Sequence, residues 1–327
     1  MIELGRFPKH DSFENARYAV AGRGISCLID NNGLLVVINE NGGLALPKYE
    51  GVKCNIKIKS VVTCGKSLKC SNIVAIDEND KVWSGIYAVN TNTSFKMCRI
   101  LPGITARNIA AHEGTLACVT TTGNLFIWGQ YKYEPEPRKV KTRILEEPEQ
   151  IQVPEKVLQV APAEMSMLIL DIHGTVYNAG RNKNGKLSCR PIDFEHKSYA
   201  KSGLNLIGQK IIQIASGKRH SACLTLAGCV YTWRNFVDKG GIKRTIQYAL
   251  RCENIIQISM SHSHRAYGLL LSKDNKVYAW GCNRHGQCGN DKQKFINNPM
   301  LVKSIDNSKV IHVSAGYLHS LVTVESL

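Results

Sequence analysis

Short runs in which apolar side chains alternate with polar or small ones recur along the whole chain. The clearest run is Val277 to Trp280, inside the stretch Lys276 to Gly289. Alternation with a period of two is typical of a strand with one buried face. Gly281 and the Asn and Gly residues after it tolerate the positive φ angles of a tight turn. The stretch therefore predicts a strand followed by a turn.

Degraded copies of this first half-motif, an apolar residue, an aromatic, a spacer and then Trp or Gly, recur along the sequence. The six copies are Leu35 to Ile38, Val82 to Gly85, Leu125 to Gly129, Val176 to Gly180, Val230 to Trp233 and Val277 to Gly281. Their spacing of about 50 residues is close to the period of a propeller blade and longer than that of helical solenoids.

A second half-motif precedes each copy of the first, and its best example is Ile211 to Leu224. Other copies start near Tyr18, Val61, Asn108, Val157, Ile255 and Val310. Small residues at its centre favour a strand close to a central axis, and each unit is then a meander of about four strands. The stretch Lys276 to Gly289 is then expected to form an outer strand and turn of one blade.

Seven copies of the second half-motif face six copies of the first, so one blade lacks a strand. Ile2 to Gly5, within an outer strand from residues 1 to 8, fills the gap if it pairs with the strands from Val310 to Val324. Such pairing removes two free sheet edges. The sequence therefore predicts an all-β fold, a seven-bladed propeller closed by its N-terminal strand, with six blades as the alternative. We expect a single domain over residues 1–327.

Charge and cysteine content narrow the expected surroundings and partners. Lys and Arg number 42 against 26 acidic residues, a formal net charge of +16. This excess suits binding to an acidic protein, nucleic acid, chromatin or an anionic membrane surface, and the alternative is that it serves solubility alone.

Twelve cysteines without a C-x-x-C pair are typical of a reducing compartment, and we expect neither disulfides nor a zinc site. The sequence offers no signal peptide, spanning segment or prenylation box, which predicts a soluble chain.

The two half-motifs resemble the repeat of the regulator of chromosome condensation family. Its members are seven-bladed propellers, and its founding member is the exchange factor for the small GTPase Ran. The resemblance covers nearly the whole chain and is most specific in Val277 to Gly281 with Asn283, Gly286, Gln287 and Gly289, and in Ala215 to Gly217 with His220 and Ser221. The copy at Val82 to Gly85 lacks the N-x-x-G-Q-x-G continuation, and Arg234 replaces the Gly expected after Trp233.

No motif for bond-making chemistry is present, since the sequence contains no complete G-x-x-x-x-G-K-[ST], H-E-x-x-H or G-x-S-x-G. We therefore expect no enzyme of that kind and no cofactor. His262 and His264 alternate in S-H-S-H-R, but no acid or cysteine stands beside them, so we expect no metal site.

In the family, a hairpin that projects from one blade acts as a wedge at the nucleotide site of the GTPase. The first candidate for such a wedge is Tyr131 to Glu149, where basic and semi-apolar residues alternate. Its partner-binding candidates are Tyr131, Lys132, Arg138, Lys139, Lys141 and Arg143. The alternative is an edge strand whose solvated lysines prevent aggregation. A second wedge candidate is Ile86 to Pro102.

Residues beside the central turns are further candidates for contact with a GTPase. The closest placements for the family's catalytic acid are Glu113 and Glu164, and His264 is a third catalytic candidate. The other expected partner-binding residues are His112, Lys218, Arg219, His220, His262, Tyr317 and His319. A His after a Gly turn also serves structurally in many proteins, by satisfying backbone groups of the next blade.

The resemblance implies a guanine nucleotide exchange factor for a small GTPase of the Ras superfamily, with Ran first and Rab-like or Rho-like proteins as further choices. Such a protein acts as a monomer that binds the nucleotide-free GTPase more tightly than the loaded form. The alternative is a propeller that binds a protein, chromatin or anionic lipid without exchange activity. The expected location is the cytoplasm or nucleus, including the host cytosol if the source is an intracellular pathogen.

Overall fold

The computed structural model describes residues 2–5, 16–65, 70–88, 94–136, 139–164, 166–180, 200–201, 209–218, 220–237, 243–250, 254–263, 266–289, 293–305 and 308–325. These residues form β-strands and the connections between them, with a short 3-10 helix at Lys303–Ile305. No helix in this part of the chain has the length and apolar character needed to cross a bilayer.

The strands follow one another as antiparallel meanders, as the repeat predicts. The first two are β2 (Ala16–Ala21), β3 (Ile25–Asp30), β4 (Leu35–Asn39) and β5 (Leu44–Tyr49), then β6 (Ile58–Cys64), β7 (Cys70–Asp77), β8 (Val82–Ala88) and β9 (Ser94–Ile100). The third and fourth are β10 (Ala106–His112), β11 (Thr115–Thr120), β12 (Leu125–Glu136) and β13 (Lys139–Ile151), then β14 (Val157–Ala163), β15 (Ser166–Asp171), β16 (Val176–Gly180) and β17 (Ala200–Lys201). The fifth and sixth are β18 (Ile211–Ser216), β19 (Ser221–Thr225), β20 (Val230–Val237) and β21 (Lys243–Ala249), then β22 (Ile255–Met260), β23 (Tyr267–Ser272), β24 (Val277–Cys282) and β25 (Phe295–Leu301). The last sheet joins β26 (Val310–Ala315), β27 (His319–Val324) and β1 (Ile2–Gly5).

The first strand of each meander lies on the inside of a ring. In chain order β2, β6, β10, β14, β18, β22 and β26 each contact the next, and β26 contacts β2. The ring encloses a channel with a cavity of about 210 Å³ lined by these inner strands. The fold is therefore an all-β propeller, as the sequence predicts.

The N-terminal strand closes the ring. Strand β1 pairs antiparallel with β27, with Ile2 opposite Val322 and Gly5 opposite His319. The apolar Leu4 of β1 is buried in the same core as Val322. Pairing between the two chain ends covers the edge that β27 would otherwise expose, which confirms the predicted closure.

One pairing has no counterpart in the sequence pattern. The outer strands β5 and β9 pair in parallel, with Leu46 opposite Ser94 and Tyr49 opposite Met97, and this joins the first two meanders in an eight-stranded sheet. Tyr49 then packs edge-on against Trp83, with ring centroids 5.2 Å apart.

The stretch from Lys276 is a third strand rather than an outer one. Val277–Cys282 forms β24, between β23 and the outer strand β25, so the expectation that this motif marks the outer strand is wrong. Trp280 of β24 lies over Gly268 of β23, where an added Cβ would come within 2.3 Å of the indole. Trp280 and Gly268 therefore pack together as one unit across two adjacent strands.

Side-chain amides connect neighbouring inner strands. The Gln213 Oε1 atom accepts a hydrogen bond from the Ile258 amide at 2.8 Å, and its Nε2 atom donates to the Ile258 carbonyl at 3.1 Å. Gln257 makes the same two contacts with Val313, at 3.1 and 3.3 Å. We call these paired hydrogen bonds amide clamps. They satisfy backbone groups of the inner strands that face the channel and have no partner in a strand ladder.

Candidate functional site

The turns that join the first and second strands of each meander lie at one end of the ring, here called the turn face. Lys218 follows β18 on this face and is buried, with 6% of its surface exposed. Its Nζ atom lies 2.6 Å from Glu113 Oε1 and 3.6 Å from Glu164 Oε1. Glu113, Glu164 and Lys218 belong to three consecutive meanders, so one ammonium group holds three turns together.

Glu113 is held in an uncommon backbone conformation. It has φ of 44° and is followed by Gly114 with φ of 96°, between the paired residues His112 and Thr115. Two consecutive positive φ angles are typical of a type I′ hairpin turn, which a Glu adopts at some energetic cost. The ion pair with Lys218 offsets that cost and fixes where the Glu113 carboxylate lies.

His112 and His262 contact each other across the channel mouth. Their Nδ1 atoms are 2.6 Å apart and their ring centroids are 4.8 Å apart. Burial lowers the pKa of His262 to about 4, and the nearby Glu113 carboxylate only partly opposes this shift. The His262 ring is therefore neutral near pH 7, and the contact needs one Nδ1–H donor and one bare Nδ1 acceptor.

Arg23 and Tyr317 form a second contact on the turn face. The Arg23 guanidinium lies 4.4 Å from the centroid of the Tyr317 ring, in a cation–π arrangement. The Tyr317 amide also donates to the Gly22 carbonyl at 3.0 Å. Arg23, Tyr317, Glu113 and His262 line the same small pocket, so this contact adjoins the histidine pair.

The other candidate histidines lie deeper. His319 is buried, and its Nε2 atom is 3.0 Å from Ser26 Oγ. Burial lowers its pKa to about 3. His220 is also buried, with its ring against Gly217. Both histidines are buried beneath the turn face. The candidates Arg219 and His264 lie outside the described residues.

The first wedge candidate is a long hairpin on the third meander. Strands β12 and β13 pair Tyr131 with Arg143, Lys132 with Thr142 and Glu136 with Lys139. Candidate Lys141 pairs with Tyr133, and Arg138 lies outside the described residues. The exposed Arg143 side chain lies 3.4 Å from Glu149.

The hairpin projects from the turn face. Gly129 pairs with Thr115 at the end of β11, and the Gln130 amide donates to the Gly114 carbonyl at 2.8 Å. Strand β12 then continues to Glu136, beyond the level of the Glu113 turn. Because β13 is also the last strand of its sheet, the edge-strand interpretation stays open beside the wedge interpretation.

The second wedge candidate, Ile86 to Pro102, has a different setting. Its described parts belong to β8 and β9, and β9 is paired on both sides, with β8 and with β5. Residues 89–93 between the strands lie outside the described part of the chain. The described backbone therefore lies within a sheet.

Sequence reasoning did not find Arg23 or the pairing of Lys218 with two acids. The available signal was position, since Arg23, Glu113 and Lys218 all follow an inner strand near a Gly turn. Position places these residues on one face, but charge pairing across meanders follows only from the geometry of the ring.

Comparisons with known proteins agree with this architecture. The family model described as the regulator of chromosome condensation (RCC1) repeat matches residues 274–323 and, in a second form, 255–287. The E3 ubiquitin-protein ligase HERC2 of Mus musculus is 26% identical over 323 residues, which cover 92% of this chain and 6% of that protein. The regulator of chromosome condensation of Homo sapiens is 27% identical over 46% of this chain and 37% of its own length. The chain thus spans only part of the relatives it matches.

Among solved structures, Prp20p of Saccharomyces cerevisiae superposes with a TM-score of 0.74. The match covers 98% of this chain and 86% of Prp20p at 13% identity, and that protein was studied for its binding to Gsp1p and histones. The repeat matches fall on the last meanders, and the structural match extends over nearly the whole chain. The chain is therefore an RCC1-like β-propeller.

Proposed function

We propose that this propeller is a guanine nucleotide exchange factor for a small GTPase of the Ras superfamily, with Ran as the first candidate. The similarity to the regulator of chromosome condensation, and to a propeller studied for binding to Gsp1p, supports the choice of partner. Sequence identity is too low to transfer the activity, so the proposal depends on the turn face itself.

The observation that carries the proposal is the hairpin β12–β13 rising beside Glu113. Gln130, at the base of the hairpin, is hydrogen-bonded to Gly114, the residue next to Glu113. A protein seated on the turn face would meet a projecting strand pair and a fixed cluster of Glu113, Glu164 and Lys218 together. This combination suits a GTPase, because exchange requires that its nucleotide site is disturbed while the rest of its surface stays bound.

Exchange requires no covalent step. The factor must bind the nucleotide-free GTPase more tightly than the GDP-loaded form, and this difference lowers the barrier to GDP release. The hairpin would disturb the nucleotide site, and the rigid turn cluster would hold the emptied GTPase. The Lys218 contacts keep the cluster pre-organised, so little conformational entropy is lost on binding.

The test is release of fluorescent GDP from a panel of Ran, Rab and Rho proteins, followed by stopped flow. We expect faster release from one GTPase. Joining Gly129 to Leu145, which are register partners, through an Asn-Gly turn removes the hairpin tip without changing the sheet below. This shortened variant should lose the acceleration and keep the thermal stability of the parent. No acceleration on any GTPase would contradict the proposal.

Two double variants test whether the basic residues of the hairpin contact the GTPase. The double substitution Lys139→Ser with Lys141→Ser should slow exchange if the basic residues contact the GTPase. Lys57→Ser with Lys276→Ser removes two exposed lysines elsewhere on the chain and should leave exchange unchanged. Equal effects of the two double variants would indicate a general effect of net charge.

A binding platform without exchange activity is the second candidate function. The observation that favours it is that both acidic candidates, Glu113 and Glu164, already face Lys218. A carboxylate that is already paired with Lys218 stabilises a fixed binding surface more readily than it promotes nucleotide exchange. Tight binding of a GTPase or of nucleosomes without faster GDP release would support this second function.

A further inference from the structure

The end of the ring opposite the turn face, here called the bulge face, changes character halfway around. Each inner strand has a register shift at the same position, where one extra residue is pushed out of the ladder. In chain order these residues are Arg17, Lys59, Arg107, Leu158, Ile212, Ile256 and Ile311. In the first three meanders the bulge position holds a basic residue, so the fold does not require an aliphatic side chain there.

The aliphatic residues on the bulge face form a continuous exposed arc. We define the aliphatic arc as Ile172, Leu226, Ile212, Ile256 and Ile311, which are all exposed large hydrophobic residues. Leu226 is 68% exposed and Ile256 is 54% exposed. Scattered apolar residues are normal on a surface, whereas several on one end of a ring indicate a binding site.

Backbone contacts show that the arc is contiguous from one meander to the next. The Leu226 amide donates to the Lys210 carbonyl at 2.8 Å, and the Lys210 side chain lies against Gly174, two residues after Ile172. On the other side, the Ile255 amide donates to the Gly228 carbonyl at 3.2 Å. These contacts join the fourth, fifth and sixth meanders, and the Val310 amide, which donates to Asn275 Oδ1 at 2.6 Å, joins the sixth meander to the last sheet with Ile311.

Lysines lie between the aliphatic residues. Lys156, Lys210 and Lys273 are exposed, and none of the ion pairs between described residues involves them. Glu155 and Asp274 are their neighbours in sequence, and Glu155 lies 3.9 Å from His173. The net charge along the arc is positive.

Two of the three basic bulge residues in the other half of the bulge face have acidic partners, while the third, Arg107, donates to the Thr120 carbonyl at 3.1 Å. Arg17 lies 3.5 Å from Glu78, and Lys59 lies 2.8 Å from Asp80. The exposed aliphatic residues of the arc are thus accompanied by three exposed lysines that take part in none of the ion pairs between described residues.

We propose that the aliphatic arc binds a partner protein through an acidic segment in which aliphatic side chains alternate with carboxylates. Such a segment buries its apolar side chains on Leu226 and Ile256 and places its carboxylates beside the lysines. The site lies on the end of the ring away from the hairpin and does not depend on exchange activity.

Two other occupants fit less well. An anionic membrane would cover the whole bulge face, but in the first three meanders the bulge position holds Arg17, Lys59 and Arg107 and offers no aliphatic side chain to insert. A second copy of the chain would bring its own +16 charge and its own arc lysines against those of the first. An acidic segment confined to the arc avoids both conflicts.

The test is fluorescence anisotropy with a short labelled peptide in which Leu and Glu alternate. We expect binding that weakens with added salt. Leu226→Ser and Ile256→Ser should each weaken it about tenfold, the loss expected when one aliphatic anchor is removed. Leu46→Ser is the matched control, because Leu46 is 55% exposed on another part of the surface and should have no effect.

Further probes separate the alternatives. A peptide of alternating Ser and Glu should bind at least about tenfold more weakly, and vesicles of phosphatidylcholine with phosphatidylserine should not bind. The proposal is overturned if the Leu and Glu peptide fails to bind, if Leu46→Ser weakens it equally, or if vesicles bind in its place. Leu226→Ser should leave GDP release unchanged, so this proposal and the exchange proposal fail independently.

Discussion

The imidazole rings of His112 and His262 meet across the central channel, with their Nδ1 atoms 2.6 Å apart. His112 ends an inner strand of the third meander and His262 follows an inner strand of the sixth. The pair therefore connects parts of the ring that share no strand ladder. Together with the ion pair of Lys218 and Glu113, it connects separate meanders at the turn face.

The histidine pair predicts two different tautomers. Because burial lowers the pKa of His262 to about 4, its ring is neutral at pH 7, and the Nδ1 contact then requires Nδ1–H on one ring and a bare Nδ1 on the other. Long-range proton–nitrogen correlation spectra distinguish the two forms directly. Two rings in the same tautomer would show that the Nδ1 contact does not form in solution.

The buried ion pair on the turn face should contribute far more stability than an exposed one. Lys218→Met leaves Glu113 and Glu164 facing each other without a cation and should cost about 3 kcal/mol of unfolding free energy. Lys59→Met breaks the exposed pair with Asp80 and should cost less than about 1 kcal/mol. Urea denaturation measures both losses, and equal losses would contradict a structural role for Lys218.

The repeat could be predicted from sequence because its signals are local. Alternation in Val277 to Trp280 and the Gly turn in Ile211 to Leu224 each need only a few neighbouring residues. The closure by Ile2 to Gly5 followed from counting half-motifs.

Contacts across the ring could not be predicted in the same way. Lys218 and Glu113 are 105 residues apart, and His112 and His262 are 150 residues apart. Their contacts depend on the curvature of the whole ring, which no local pattern encodes. The parallel pairing of β5 with β9 likewise depends on how two outer strands meet in space.

His312 should make the stability of the protein sensitive to acid. Burial lowers its pKa to about 4, below the usual value of about 6.5. Between these two pH values the unfolded chain binds a proton at His312 and the folded chain does not. The free energy of unfolding therefore decreases as pH falls from about 6.5 toward 4. Tyr18 stacks on the ring at 4.3 Å but does not titrate in this range, because burial raises its pKa to about 12.

A substitution from the chain's own repeat isolates this effect. Gln213 and Gln257 occupy the same register as His312, so His312→Gln should preserve the contact with Ala19 and make the pH dependence shallower by up to about one proton. His173→Gln removes an exposed imidazole and is the comparison variant, and its effect on the slope should be smaller than that of His312→Gln. The measurement is unfolding free energy against pH, and an unchanged slope for His312→Gln would contradict the assignment.

The amide clamps predict a cost for losing one polar side chain of the channel. Gln213→Leu leaves the Ile258 amide and carbonyl without their partner and should cost about 1–3 kcal/mol. Gln209→Leu removes an exposed contact with Tyr231 and should be nearly neutral in denaturant unfolding. Equal results for the two variants would mean that water replaces the clamp without loss.

An exchange factor must bind a GTPase without nucleotide more tightly than a loaded one, and we propose that the turn face has this preference. The direct measurement compares dissociation constants for one GTPase in its nucleotide-free and GDP-loaded forms, using the parent protein and the variant with Gly129 joined to Leu145. We expect the parent to bind the nucleotide-free form about a hundredfold more tightly, and the shortened hairpin to remove most of this preference. Equal affinity of the parent for the two forms would contradict it.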